Sequence, residues 1–305
     1  MAGVNLLDLE CFSLKNESIT LFVAKEVGPR IVALIIDGEN IFAELPDLTI
    51  DNLDSRPFHF WGGHRLWYAP EIPERTYTPD DKLAVLEING SRLTSTQIPE
   101  RKSGIQKTIS VWLPKNRPIV VVDHTITNKG QETIDCAPWA ITQLKPGGTA
   151  ILPLNRAYAD HHGLQPNRSI VLWPYTDMNS SHIRWGNRYL FVEANMKEGA
   201  LKVGFPNPVG WLAYYRNHRL FVKLASYQAD AAYYDYSASS QCYCNEQFLE
   251  LETLGPQVAL EPGMSVGHKE VWEIFRDFDL SLDEKVLDRS LDKIGIADSS
   301  SYLSG

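Results

Sequence analysis

Apolar residues along this chain come in short runs separated by Gly, Pro, Asn and Asp, a pattern that predicts many β-strands joined by turns. Ile31 to Ile36 is followed by Asp37-Gly38-Glu39-Asn40 and then Ile41-Phe42. This is a strand, turn, strand signal, because Asp-Gly supplies the positive φ that a tight hairpin needs. Ala84 to Ile88, Asn89-Gly90 and Arg92 to Thr96 repeat it. Ile119 to Asn128, rich in β-branched residues, gives way at Lys129-Gly130 to Thr133 to Cys136, which predicts a third hairpin. Strand-like runs continue at 169–173, 189–193, 201–205, 212–215, 220–225, 246–254 and 271–275. Helical spacing is convincing only over 282–294, where Leu282, Val286, Leu287 and Leu291 share a face. The expected fold is therefore all-β: one large antiparallel β-sandwich over residues 1–298 with a C-terminal helix, and a small polar tail, 299–305, that is disordered.

Composition narrows the partners. Of 305 residues, 44% are hydrophobic and 22% charged, which is ordinary for a folded globular chain. The longest aliphatic stretch, near Ile31, is far shorter than a membrane helix requires. A net charge of −9 opposes counterion-driven nucleic-acid binding. The N-terminus lacks a basic segment and a long apolar run, so the expected location is the cytoplasm. Four cysteines, unevenly placed, are expected to stay reduced. Cys242 and Cys244 lack a second pair, and His161, His162 and His182 lack metal-site spacing, so no metal is expected. Eight Trp and 13 Tyr offer faces on which sugar C–H surfaces stack, or simply fill a β-core.

Three segments combine chemistry with turn residues. Phe58 to Glu71 joins Gly62-Gly63 to His64, Arg65, Trp67 and Glu71. Paired glycines let backbone approach a ligand, so this reads as a binding loop; the plainer alternative is a turn whose Arg65 pairs with Glu71. In Glu246 to Pro256, period two puts Glu246, Phe248, Glu250 and Glu252 on one face and Leu249, Leu251 and Thr253 on the other. Crowded or buried carboxylates titrate high enough to act as bases, whereas a solvated face with Lys or Arg partners would be structural. In Ala137 to Thr149, Trp139 offers a stacking plate and Gln143 a two-way hydrogen-bonder.

In these segments the sequence resembles the galactose-mutarotase-like superfamily, and most closely a branch marked by Gly-Gly-His-Arg-Leu-Trp-x-Ala-Pro-Glu, here Gly62 to Glu71. The match extends through Thr125 to Gln131, Ala137 to Ala140, Leu249 to Pro256, Leu260 to Gly263 and Glu270 to Trp272. The resemblance implies a β-supersandwich whose concave face binds a sugar without a cofactor, and aldose 1-epimerase-like chemistry that opens and recloses the ring. It assigns Glu252 as base and Gly62 to Arg65 as the Arg-bearing loop; beside them Arg65 and Gln143 are expected to bind hydroxyls, Trp67 and Trp139 to stack on the ring, and Glu71 and Glu250 to lie at the substrate. Where better-known epimerases carry an acidic His, this chain has Trp139. His64 is then the expected acid, with His161 and His162 as alternatives. A non-catalytic sugar-binding protein is the rival reading, and polysaccharide lyase or hydrolase chemistry a more distant one.

Overall fold

The computed structural model describes residues 3–52, 56–115, 117–296 and 298–303. Among these, two antiparallel sheets of 13 and 10 strands face each other. Central in the larger sheet are Arg30–Ile36, Phe58–Ala69, Ile134–Leu144, Leu249–Leu254, Ser240–Asn245 and Ala200–Phe205, in that spatial order. Arg219–Ala225, Ser265–Phe275 and Ile119–Asn128 lie side by side in the smaller one.

Period-two alternation builds the layers. From Ile119–Asn128, Val120, Val122 and Ile126 enter the core between the sheets. Ile119 and Val121 point the other way, into a second cluster with Leu287 and Leu291 of the helix Glu284–Ile294. Asp283 caps that helix by accepting from the Lys285 and Val286 amides, and Gly295 ends it at φ 64°. The expected helix is thus present, although Val286 turns outward. No described helix is long and apolar enough to cross a membrane.

The Asp-Gly and Asn-Gly hairpins form as the turn chemistry predicts. Ile36 pairs with Glu39 around Asp37 and Gly38, both at positive φ, and Asn89 pairs with Arg92. The third predicted hairpin does not form. Ile119–Asn128 pairs with Ile105–Trp112 and Ser265–Phe275, while Ile134–Leu144 belongs to the other sheet. The Asn128 side chain holds the crossing, donating to the Glu132 and Leu260 carbonyls and accepting from the Gly130 amide. The tail also differs from expectation: residues 298–303 form a 3-10 helix, and Tyr302 lies edge-on to Trp112. Its two apolar residues, Tyr302 and Leu303, find the helix-side cluster; residues 304 and 305 lie outside the described residues.

Phe58 to Ala69, read from sequence as a loop, is a 12-residue central strand. Its glycines serve close packing of strands. A Cβ on Gly62 would sit 1.9 Å from the Ala43 carbonyl oxygen, and one on Gly63 would sit 2.1 Å from that of Ile31. Both have positive φ, which L side chains rarely adopt.

Between the sheets lies a closed polar network. Lys223, fully buried, reaches from the smaller sheet to the larger one. Its ammonium donates to the Ala140 and Leu251 carbonyls and to Thr142 Oγ1, and pairs with Glu270 at 2.9 Å. The Trp272 indole donates to the other Glu270 oxygen. His124 Nδ1 must carry a proton, because it bonds the His268 carbonyl at 2.9 Å. His124 Nε2 is then the acceptor for His64 Nε2–H at 2.7 Å, and His64 Nδ1 accepts from Thr142. Each imidazole is thereby fixed as one neutral tautomer.

That network predicts acid sensitivity. Burial, with the other imidazole and Lys223 adding to it, holds His64 well below its ordinary value of 6.5, and burial takes His124 down to about 3. The unfolded chain therefore binds more protons below pH 6.5, and stability present above that pH is lost as pH falls toward 3. With His268, likewise taken down to about 3 by burial, three such groups give a limiting slope of about 4 kcal/mol per pH unit. Urea unfolding at pH 7 and pH 5 is expected to show a clearly lower midpoint at pH 5; an unchanged or higher one would contradict the tautomer assignment.

Candidate active site

The outward face of the larger sheet carries the groups singled out in the sequence. Register alignment puts Arg65 beside Ile141, Ile141 beside Glu252 and Glu252 beside Gln241. One row along, Gln143 lies beside Glu250 and Glu250 beside Tyr243, which neighbours Lys202. Trp67 and Trp139 are directly opposite each other, their ring centroids 5.4 Å apart. Directly paired residues point to the same side of a sheet, so these side chains share one face.

Above that face opens a cavity of about 350 Å³. Its walls are mainly aromatic: Phe60, Trp67, Tyr77, Trp139, Trp173 and Tyr175, with Tyr243 and Phe248. Arg65, Glu71, Lys202 and Glu250 are its charged members. Arg65 Nη2 donates to Glu250 Oε1 at 2.8 Å, and the guanidinium lies over the Trp67 ring at 4.0 Å. Glu71 is exposed at the mouth and accepts from the Tyr77 hydroxyl.

Glu252 is the most perturbed acid. It is fully buried beneath the floor, where its Oε2 accepts from the Trp139 indole at 2.7 Å and from Lys202 at 2.9 Å. Burial, helped by the neighbouring Glu250 charge, pushes its carboxyl up to about 7 against the opposing pull of Lys202. Its Oε1 has no protein hydrogen-bond partner, and neither have both polar atoms of Gln143 nor Nε and Nη1 of Arg65. This face thus combines a proton acceptor that titrates near neutrality, donors and acceptors suited to hydroxyls, and stacking walls.

His64 is not part of this site. Adjacent residues on a strand face opposite ways, so with Arg65 in the cleft His64 points between the sheets, bonded to Thr142 and His124. It is corrected from candidate acid to core residue. His161 and His162 are exposed on a loop and do not border the cavity. His64, His124 and Glu270 do bring one ligand atom each within 4.8 Å of one another. Their lone pairs are committed to the network, however, and the Lys223 ammonium contacts Glu270, so this donor set does not suit a cation.

Sequence reasoning missed Lys202, Trp173, Tyr175 and Tyr243. Lys202 is 4% exposed, with its ammonium 4.8 Å from the centroids of both Trp139 and Trp173. A lone charge in Ala-Leu-Lys-Val-Gly-Phe was the available signal, since an isolated Lys in an apolar strand is rarely buried without a partner. Burial raises both tyrosines, Tyr243 to about 12, so their hydroxyls remain donors. A larger cavity, about 530 Å³, is bordered by 78–82 and 97–102. Three of its carboxylates are engaged structurally, Asp80 by Arg30, Asp81 by Arg56 and Glu100 by Lys107, and it lacks the aromatic walls.

Two facing antiparallel sheets give this chain a fold similar to that of galactose-mutarotase-like solved structures. Solved structures similar to this chain include a galactose mutarotase-like protein from Lactobacillus casei, with TM-score 0.56, 12% identity, and coverage of 87% of this chain and 100% of that one, and a candidate aldose 1-epimerase from Klebsiella pneumoniae, with TM-score 0.59, 9% identity, and coverage of 96% and 85%. A TPR-domain-containing protein from Parabacteroides distasonis is also similar, at TM-score 0.61 and 15% identity over 90% of this chain; this chain spans about half its length, 48%. No protein-family model and no curated protein matches the sequence. At these identities the likeness is one of fold.

Proposed function

We propose that the cleft binds a pyranose sugar and that the chain interconverts its anomers, as an aldose 1-epimerase-like isomerase. The observation that carries this reading is Glu252, a buried carboxyl raised to about 7 and bonded to a lysine that lines an aromatic cleft. Glu252 takes the proton of the anomeric hydroxyl while Lys202 gives one to the ring oxygen. Both sugar oxygens are bonded to the same carbon, so an acceptor and a donor that are themselves hydrogen-bonded neighbours can serve them together. The bond from the anomeric carbon to the ring oxygen breaks, the aldehyde rotates, and reclosure returns both protons. Lys202 thus takes the role first assigned to His64. Trp67 and Trp139 stack on the ring, and Arg65, Gln143, Glu250 and Glu71 receive its hydroxyls.

The second reading, a sugar-binding protein without catalysis, is favoured by the burial of Glu252 and by the lack of an imidazole among the described cavity-lining residues. Polarimetry on freshly dissolved hexoses separates the two. The wild type is expected to speed the approach to anomeric equilibrium for at least one hexose. Sugar binding with no rate above the spontaneous one establishes the second reading instead.

A further inference from the structure

We infer that the cleft admits an uncharged sugar and rejects phosphorylated or carboxylated ones. The inference rests on the sugar-binding reading and specifies which sugars that site takes. Among the described residues bordering the cavity the cations are Arg65 and Lys202, and each is already matched. Arg65 is held by Glu250 at 2.8 Å and stacked on Trp67, and Lys202 is held by Glu252 at 2.9 Å between Trp139 and Trp173. Glu71 adds a third carboxylate at the mouth, where its contact is the neutral Tyr77 hydroxyl.

Ionised throughout, this set has two positive and three negative groups; with Glu252 protonated it sums to zero. At neither extreme does a positive surplus face the ligand. A phosphate would have to break one of the buried ion pairs or accept a nearby carboxylate, and leaving a desolvated charge unpaired is the costly outcome. The unpartnered polar atoms are of both kinds, Nε and Nη1 of Arg65 as donors and Oε1 of Glu252 as an acceptor. Gln143 offers one acceptor and two donors, both atoms buried and unpaired, which fits a hydroxyl's dual capacity. Phosphate oxygens, which only accept, can use the donors of this face alone.

The test is calorimetric titration of the full chain with glucose, galactose, their 6-phosphates and glucuronate at neutral pH and moderate salt. For whichever hexose binds, its phosphate is expected to bind at least about 30-fold more weakly, as like-charge juxtaposition predicts. Glu250→Gln, which releases Arg65 from its partner, is expected to narrow that ratio. Because this change leaves a buried guanidinium unpaired, Glu71→Lys at the exposed mouth provides a second arm that should narrow the ratio without disturbing the core. Equal or tighter binding of the phosphate or the uronate by wild type overturns this inference while leaving the sugar reading standing. A ratio unmoved by Glu71→Lys in a folded protein overturns the charge argument. Binding of none of the five overturns the sugar reading and this inference with it.

Discussion

Glu252→Gln is expected to reduce the catalysed component of anomer interconversion by about 10² to 10⁴-fold, the usual contribution of a positioned general base. The amide keeps the size of the side chain and can still accept from Trp139 and Lys202, so sugar affinity should change much less than rate. The wild-type pH profile supplies a second check. Because the folded carboxyl titrates near 7, the fraction able to accept a proton grows as pH rises through that value, and the catalysed rate should climb with it. The same titration acts oppositely on stability. An acid raised above its unfolded value binds more protons when folded, so its contribution is fully present below about 4.5 and is lost as pH rises through 7. Relative to wild type, Glu252→Gln should therefore be most stabilising above pH 7. Across pH 4.5 to 6.5 this single group opposes three imidazoles held low by burial, and the imidazoles win. A rate retained within threefold in Glu252→Gln, or a wild-type rate flat from pH 5.5 to 8, removes Glu252 from the mechanism.

Lys223→Ala is expected to lower the unfolding free energy by about 3 to 5 kcal/mol, the cost of leaving one partner of a buried ion pair uncompensated. Glu270 would keep the Trp272 and Thr253 donors, while the Ala140 and Leu251 carbonyls would lose their bonds to the ammonium. Those carbonyls lie on the two strands that bring Trp139 and Glu252 together. Pairing Lys223→Met with Glu270→Gln should cost less than Lys223→Ala alone, because both charges are removed and the volume is kept. Denaturant unfolding compares them. A Lys223→Ala protein within 1 kcal/mol of wild type would mean that the ammonium is not the anchor joining the two sheets.

Much of this was legible in the chain. Alternation along Glu246 to Leu254 put Glu250 and Glu252 on one side, and turn chemistry located two hairpins. The fold class followed from many short runs and a single helical stretch. The failures have one root each. Gly62-Gly63 was read as a loop because paired glycines usually mark turns, whereas here they let a central strand lie against the Ala43 and Ile31 backbones. That error produced the next. On a loop, His64 and Arg65 can face the same ligand; on a strand they cannot, so choosing Arg65 for the cleft already excluded His64. Lys202 and Lys223 were invisible as partners because their strands reach Glu252 and Glu270 through long-range pairing that no local pattern encodes. The crossing at Lys129-Gly130 shows the same limit, since a turn signal does not say whether the next strand rejoins its own sheet.

On the proposed function, the sugar sits over the face shared by Arg65, Trp67, Trp139 and Glu250, with its anomeric carbon toward Lys202 and Glu252. A crystal of the wild-type protein soaked in galactose or glucose near neutral pH tests it most directly. The account requires the ring to lie against Trp67 or Trp139, its anomeric hydroxyl within hydrogen-bonding distance of Lys202 or Glu252. A sugar held instead in the larger cavity beside 78–82 and 97–102, or stacked with its anomeric carbon turned away from Lys202, would contradict it.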